Sequence, residues 1–175
     1  MKVRRPIVRG SLLALVCFSS LSFAQLFGDE ERAKWEEGEY ALPEAPQESS
    51  LRQFFVSSAS PNQFFVDEQT LTVGGDGVVR YVLVVRTRGG ARNVTFEGIR
   101  CATGERRLYA SGHSDGSWAK ARDSRWEPIS FNTYNRPQAA LAQDCFCDGP
   151  AAARNTAEVL RRLRGTDMTI VNPYR

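Results

Sequence analysis

The chain has 175 residues, with 23 Lys plus Arg against 20 Asp plus Glu, 42% hydrophobic and 10% aromatic residues. That is apolar material for about one globular domain, and it excludes a disordered chain, a coiled coil and a polytopic membrane protein. It also leaves little room for the large α/β scaffolds that carry much metabolic chemistry.

Lys2, Arg4, Arg5 and Arg9 form a basic head before the apolar run Ser11 to Phe18, and Ser22-Phe23-Ala24 supplies small side chains. This order predicts a secretory signal peptide over residues 1–24, cut before Gln25. The run is interrupted by Ser19, Ser20 and Ser22 well short of the roughly 20 apolar residues of an anchoring helix, so no stable membrane insertion is expected after cleavage. Val16 stands before Cys17 where a lipoprotein signal needs a small residue, which argues against a lipid anchor. Removing 1–24 leaves 19 basic against 20 acidic groups, a net charge of −1. The basic excess thus belongs to the leader, and no nucleic-acid partner is implied.

The remaining charge is uneven. Residues 25–50 carry eight acids and two bases, an arm of −6, while the body from Leu51 carries 17 bases and 12 acids. Such an arm either folds back on the body or stays a solvated leader, and Trp35 and Tyr40 give it something to bury.

Phe54-Phe55-Val56, Phe64-Phe65-Val66, Leu71 to Val73, Val78 to Arg86, Val94 to Cys101 and Leu108 to Ala110 read as short antiparallel strands, rich in β-branched and aromatic residues. Gly74-Gly75-Asp76-Gly77 and Arg88-Gly89-Gly90 supply turn chemistry between them. In the longest strand Val79, Tyr81, Leu83 and Val85 share one face and Arg80, Val82, Val84 and Arg86 the other, so both faces are expected to be covered.

After Trp126 the pattern turns helical. Asn135-Arg136-Pro137 predicts a helix through about Asp144. Asn155 with Glu158 in capping-box spacing starts a second, with Val159, Leu160 and Leu163 as its apolar stripe, Arg161, Arg162 and Arg164 near its negative end and Gly165 as its stop. Residues 51–165 are therefore expected to form one α+β domain, an antiparallel β-meander of about five to six strands with two short C-terminal helices and one disulfide, followed by a tail over 166–175.

Three cysteines follow the leader, in a chain expected to reach an oxidising compartment. Pairing Cys101 with Cys147 closes a long loop and is the favoured staple, whereas pairing Cys145 with Cys147 closes a small strained ring suited to a redox centre. The first pairing leaves Cys145 as the odd thiol, buried or available to a second chain.

Trp35-Glu36-Glu37-Gly38 with Leu42-Pro43, Phe64-Phe65-Val66-Asp67, Asp76-Gly77-Val78-Val79-Arg80-Tyr81, the segment Ala91 to Cys101 and Asp115-Gly116-Ser117-Trp118 resemble the cryptic neisserial protein-like family of Gram-negative bacteria. The resemblance covers about Trp35 to Gly149. It implies a small exported envelope protein with a periplasmic address and brings no catalytic residues with it. In the family pattern the second cysteine corresponds to Cys147, and an aromatic is usual where this chain has Cys145.

Catalytic signals are weak. Gly112-His113-Ser114-Asp115-Gly116 matches a nucleophile elbow, but His113 is the one histidine of the chain and adjoins the serine, so a polar turn is expected. Cys101, Cys145, Cys147 and His113 would count as zinc ligands, but export favours oxidation of the thiols, and no metal or cofactor is expected. Asn93-Val94-Thr95 fits a glycosylation acceptor and is read as plain strand. Tyr109, Trp118, Lys120, Arg122, Arg125 and Trp126 interleave aromatics with cations, a pattern suited to an envelope protein partner or to an anionic or saccharide polymer. The competing reading packs both tryptophans on the sheet. The functional expectation is a non-catalytic cell-envelope binding or interaction module; the alternative is a small periplasmic enzyme, either an envelope-polymer hydrolase or a thiol-disulfide protein.

Overall fold

The computed structural model describes residues 35–130 and 136–171, the side chains of 166–171 excepted. The expected leader, residues 25–34 of the arm, Asn135 of the first helix start and residues 172–175 of the tail lie outside the described residues. The described residues from Glu36 onward belong to one compact unit.

The unit is α+β. Its sheet holds β1 (Leu51–Phe54), β2 (Gln63–Asp67), β3 (Thr72–Val73), β4 (Val78–Arg86), β5 (Arg92–Arg100), β6 (Glu105–Gly112), β7 (Trp118–Lys120) and β8 (Trp126–Pro128). The order is β1-β2-β4-β5-β6-β7, with β3 also on β4 and β8 also on β6, and every pairing is antiparallel. A two-stranded hairpin of β9 (Cys147–Asp148) and β10 (Ala151–Ala152) lies apart. The helical layer is α1 (Arg136–Leu141), a π-helical turn (Ala142–Phe146) and α2 (Thr156–Val171).

The described strands outnumber the five or six expected. The additional ones, β7 to β10, are two or three residues long, too short for alternation to register, and Trp118-Ala119-Lys120 and Trp126-Glu127-Pro128 become strands because β6 offers them a ladder. Phe55 and Val56 fall beyond β1, with Phe55 half exposed. The first helix leaves α geometry after Leu141, short of Asp144, and continues as the π-helical turn through Phe146. The second continues through Gly165, because a glycine in mid-helix costs about 1 kcal/mol and does not by itself break the hydrogen-bond ladder.

Other expectations hold in detail. Gly77 and Gly90 adopt positive φ, at 77° and 87°, and close the two turns with Gly77 N–H to Gly74 O and Gly90 N–H to Thr87 O. Asn155 caps α2 by accepting from Glu158 N–H at 3.0 Å, while the Glu158 carboxylate accepts from Arg154 N–H at 3.0 Å, one residue before the reciprocal partner of a standard capping box.

Strand alternation divides the core. Val79, Tyr81, Leu83 and Ile99 pack under Leu141, Phe146, Val159 and Leu163 of the helical layer. On the opposite face Phe65, Val82, Val84, Val94, Phe96, Tyr109 and Ala110 cluster together. The β5–β6 register shifts between Phe96 and Glu97, leaving Tyr109 as the extra residue of a bulge. The bulge puts Tyr109 and Ala110 on the same face, where simple alternation would separate them. Gly98 makes room for the phenol ring: a Cβ there would lie 2.4 Å from the Tyr109 hydroxyl oxygen. Gly98→Ala is therefore expected to cost about 2 kcal/mol as an overpacked site, read as a lowered urea midpoint. An unchanged midpoint would show that the ring can move aside.

Candidate functional site

On the helix-covered face a cavity of about 660 Å³ opens between the β1–β2 connection, strands β2, β4, β5 and β6, and the start of α1. Val56, Phe64, Leu83, Val85, Leu108 and Pro137 give it apolar walls. Asn93, Thr95, Glu97, Arg106, Arg136 and Gln138 add polar groups. Its size and its mixture of many apolar and few polar groups are those of small-molecule sites.

The polar centre is Glu97, 3% exposed. Its carboxylate accepts from Thr95 Oγ1 at 2.7 Å, Tyr81 hydroxyl at 3.0 Å and Gln138 Nε2 at 2.9 Å. Burial first, and then the charge of Glu97, push the Tyr81 phenol well above its ordinary pKa, so it stays a donor. Because Gln138 gives its NH₂ group to Glu97, the orientation of its amide is fixed, and Oε1 is buried with no hydrogen-bond partner among the described residues. Arg106 is also buried and reaches Glu127 at 3.4 Å. Arg136 is exposed. Three donors hold the Glu97 carboxylate, so it positions its neighbours and is poorly placed to act as a proton-abstracting base.

The opposite face carries residues 36–50 of the acidic arm, which fold back on the body. Arg80 Nη2 donates to Glu37 at 3.2 Å, and Arg107 Nη1 and the Tyr109 hydroxyl donate to the same carboxylate. Gly38 N–H donates to Asp76 at 2.8 Å, and Arg80 spans Asp76, Glu37 and Gly38 O. Tyr40 stacks on Tyr109 at 4.2 Å between ring centroids, beneath the Arg80 guanidinium. Trp118 Nε1 donates to Pro43 O at 2.7 Å, and Glu48 pairs with Arg86. Burial works to raise Asp76, but hydrogen bonds from Arg80, Gly38 and Val78, with the charge of Arg80, outweigh it and hold the carboxyl below its ordinary value. Burial and the hydrogen bond to Glu37 push the Tyr109 phenol far up.

The aromatic-cationic residues read from the sequence are divided by this arrangement. Tyr109 and Trp118 come together beneath the arm, with Tyr109 buried. Lys120, Arg122 and Arg125 are exposed, and Arg125 forms a bidentate pair with Asp123. Trp126 is half-buried in β8. His113 and Ser114 occupy the turn between β6 and β7, closed by Gly116 N–H to His113 O, and Asn93 to Thr95 lies in β5. Cys101 and Cys147 form the disulfide, with a Cα–Cα distance of 5.6 Å. Cys145 is a buried thiol outside that bond, on the π-helical turn. Thiol exchange needs access, and Cys145 is 1% exposed.

Glu97, Gln138, Arg106 and Glu37 were not singled out from the sequence. A usable signal existed for Glu97 and Arg80, since each is a charge inside an apolar strand, and a buried charge demands partners. Gln138 and Glu37 had no such signal, because polar residues near a helix start or in an acidic arm are ordinary.

The family model described as the CNP1-like family matches residues 30–164 of the chain. The chain is also similar to Cryptic neisserial protein 1 of Neisseria gonorrhoeae, at 30% identity over 127 residues, which is 64% of this chain and 62% of that protein. It therefore spans less than two thirds of that relative's length. No solved structure matches it.

Proposed function

Since the chain belongs to the CNP1-like family, we propose that it is an exported periplasmic protein that binds a small ligand in the cavity beside Glu97, as a non-catalytic module of the cell envelope. The observation that carries this reading is the cavity itself. It joins apolar walls to a few polar side chains, among them Glu97, whose carboxylate is buried and hydrogen-bonded. Export is supported by the basic head and apolar run of residues 1–24. The Cys101–Cys147 bond fits an oxidising compartment. Binding is favoured over hydrolysis because Glu97 is held by three donors and the His113-Ser114 pair sits in a turn that does not line the cavity.

The test is titration with the apolar fluorophore N-phenyl-naphthylamine. Wild type is expected to enhance its emission saturably, and Leu108→Trp, which puts an indole into the cavity wall, to weaken binding at least tenfold while thermal unfolding stays cooperative. A wild type that does not bind the fluorophore, or binding that Leu108→Trp leaves untouched, would overturn the assignment.

A further inference from the structure

We infer that the sheet face opposite the cavity is a recognition groove for an extended, acidic, proline-bearing segment of a partner protein, and that the chain's own arm fills it as a stand-in. The inference does not rest on the cavity. What carries it is a contact at every third residue of the arm. Glu37 reaches Arg80, Arg107 and Tyr109. Tyr40 lies 4.2 Å from Tyr109 and 6.1 Å from Phe96 between ring centroids. Pro43 O accepts from Trp118 Nε1 at 2.7 Å, and Pro46 O from Arg92 Nη2 at 3.4 Å. A spacing of three puts all four positions on one side of a polyproline-II helix, and residues 38, 39, 41, 42, 44 and 45 between them are exposed.

The arm is held as a ligand is held. Residues 36–47 form neither helix nor strand. Among the described residues, the main chain of 36–46 bonds to the body through side chains alone: Gly38 with Asp76 and Arg80, Pro43 with Trp118 and Pro46 with Arg92. The bed beneath is built without it. Asp76 holds Arg80, and Ser124 accepts from Arg107 Nε at 3.0 Å. Tyr109, Phe96 and Trp118 form a row of rings, with centroids 5.0 and 6.3 Å apart. An aromatic-lined groove is how proline-bearing extended peptides are read, because such a segment is already extended before it docks. The two arginines at one end of the row add a seat for a carboxylate and fix the direction of the chain. The partner chemistry is therefore Glu-x-x-Tyr-x-x-Pro.

The test is fluorescence polarisation of a labelled peptide of residues 36–47 against the full chain carrying Glu37→Ala, Tyr40→Ala or both, each checked for cooperative thermal unfolding. The peptide supplies the group that the variant's own arm lacks, and saturable binding is expected below about 1 mM. Wild type should bind it at least tenfold more weakly, since its tethered arm competes at an effective concentration on the order of millimolar. Replacing the tyrosine of the peptide by alanine should cost about fivefold, the scale of one aromatic pair. Trp118→Phe, added to Glu37→Ala, keeps a ring but loses the indole donor and should cost a similar factor. A peptide of the same composition in shuffled order keeps the charge and loses the spacing, and should bind at least about tenfold more weakly. Equal binding of the shuffled peptide would reduce the face to a general anion surface and overturn the inference. Failure of all the folded variants to bind the peptide would overturn it too. Sedimentation of wild type as an arm-exchanged dimer would assign the groove to a second copy and overturn the partner reading.

Discussion

Replacing Glu37 with alanine is expected to lower the stability of the protein by about 2 kcal/mol and to release the acidic arm from the sheet. The carboxylate takes donors from three side chains, Arg80, Arg107 and Tyr109, which come from two different strands. Its removal leaves the Tyr109 hydroxyl and the half-buried Arg107 guanidinium without this acceptor. Arg80 is cushioned, because Asp76 still holds it, and for that reason the expected loss lies below the 3–5 kcal/mol of a buried pair broken outright. By contrast, the Glu48 to Arg86 pair is largely exposed, and its removal should cost well under about 1 kcal/mol.

Two measurements check this. The urea midpoint should fall for Glu37→Ala and fall less for Glu37→Gln, which keeps an acceptor oxygen. Limited proteolysis should cut between residues 36 and 47 in the variant before it cuts the wild type. Release would also uncover Arg80, Arg107 and Trp118, so retention on dextran sulfate at low salt should rise and then vanish as ionic strength increases. A midpoint within about 0.5 kcal/mol of wild type, the range of ordinary surface substitutions, would mean that the other contacts of the arm, through Gly38, Tyr40, Pro43 and Glu48, hold it without Glu37.

Removal of the disulfide is expected to have the larger effect, about 4 kcal/mol in the chain-entropy treatment of a loop of this length. Cys101 and Cys147 are 46 residues apart, and their bond ties the residue just after β5 to the residue just after the π-helical turn. It therefore holds the helical layer on the sheet, including Pro137 and Gln138 of the cavity wall. Cys147→Ser should lower the urea midpoint by that amount and weaken binding of the fluorophore. Reductant should reproduce the shift in wild type and in Cys145→Ala, since Cys145 takes no part in the bond. A wild type indifferent to reductant, or a Cys145→Ala variant that loses the response, would contradict this pairing.

Much of the architecture was legible because it depends on local chemistry. Glycine at positions 77 and 90 follows from turns that need positive φ, and Asn155 with Glu158 announces a helix start through their hydrogen bonds. The two faces of β4 follow from a period of two. Gly165 misled because its usual role at a helix end is a preference of backbone freedom, and here nothing demands the left-handed conformation. The short strands β7 and β8 escaped because their pairing is supplied by β6 and carries no pattern of its own.

The site was less legible, for the reason that hydrogen-bond partners are distant in sequence. Glu97 meets Tyr81 and Gln138 across separations of 16 and 41 residues, and Glu37 meets Tyr109 across 72. Tyr109 and Trp118 were singled out for aromatic and cationic character, yet neither composition nor spacing tells whether an aromatic ring faces solvent or receives another part of the chain. The bulge at Tyr109 decides this by turning that ring toward Glu37 and Tyr40.

By itself the sequence determined the family, the α+β class, the turns, the strand faces and the pairing favoured for the cysteines, because each rests on local backbone preference, on periodicity or on motif. Tertiary structure alone decided that the arm docks, that Glu97 sits in a cavity and that Gln138 keeps an oxygen without a donor. Those are matters of which distant groups share a desolvated space. Burial makes each unpaired donor or acceptor costly, so it is the fold that decides which partners these ordinary glutamates and this glutamine meet.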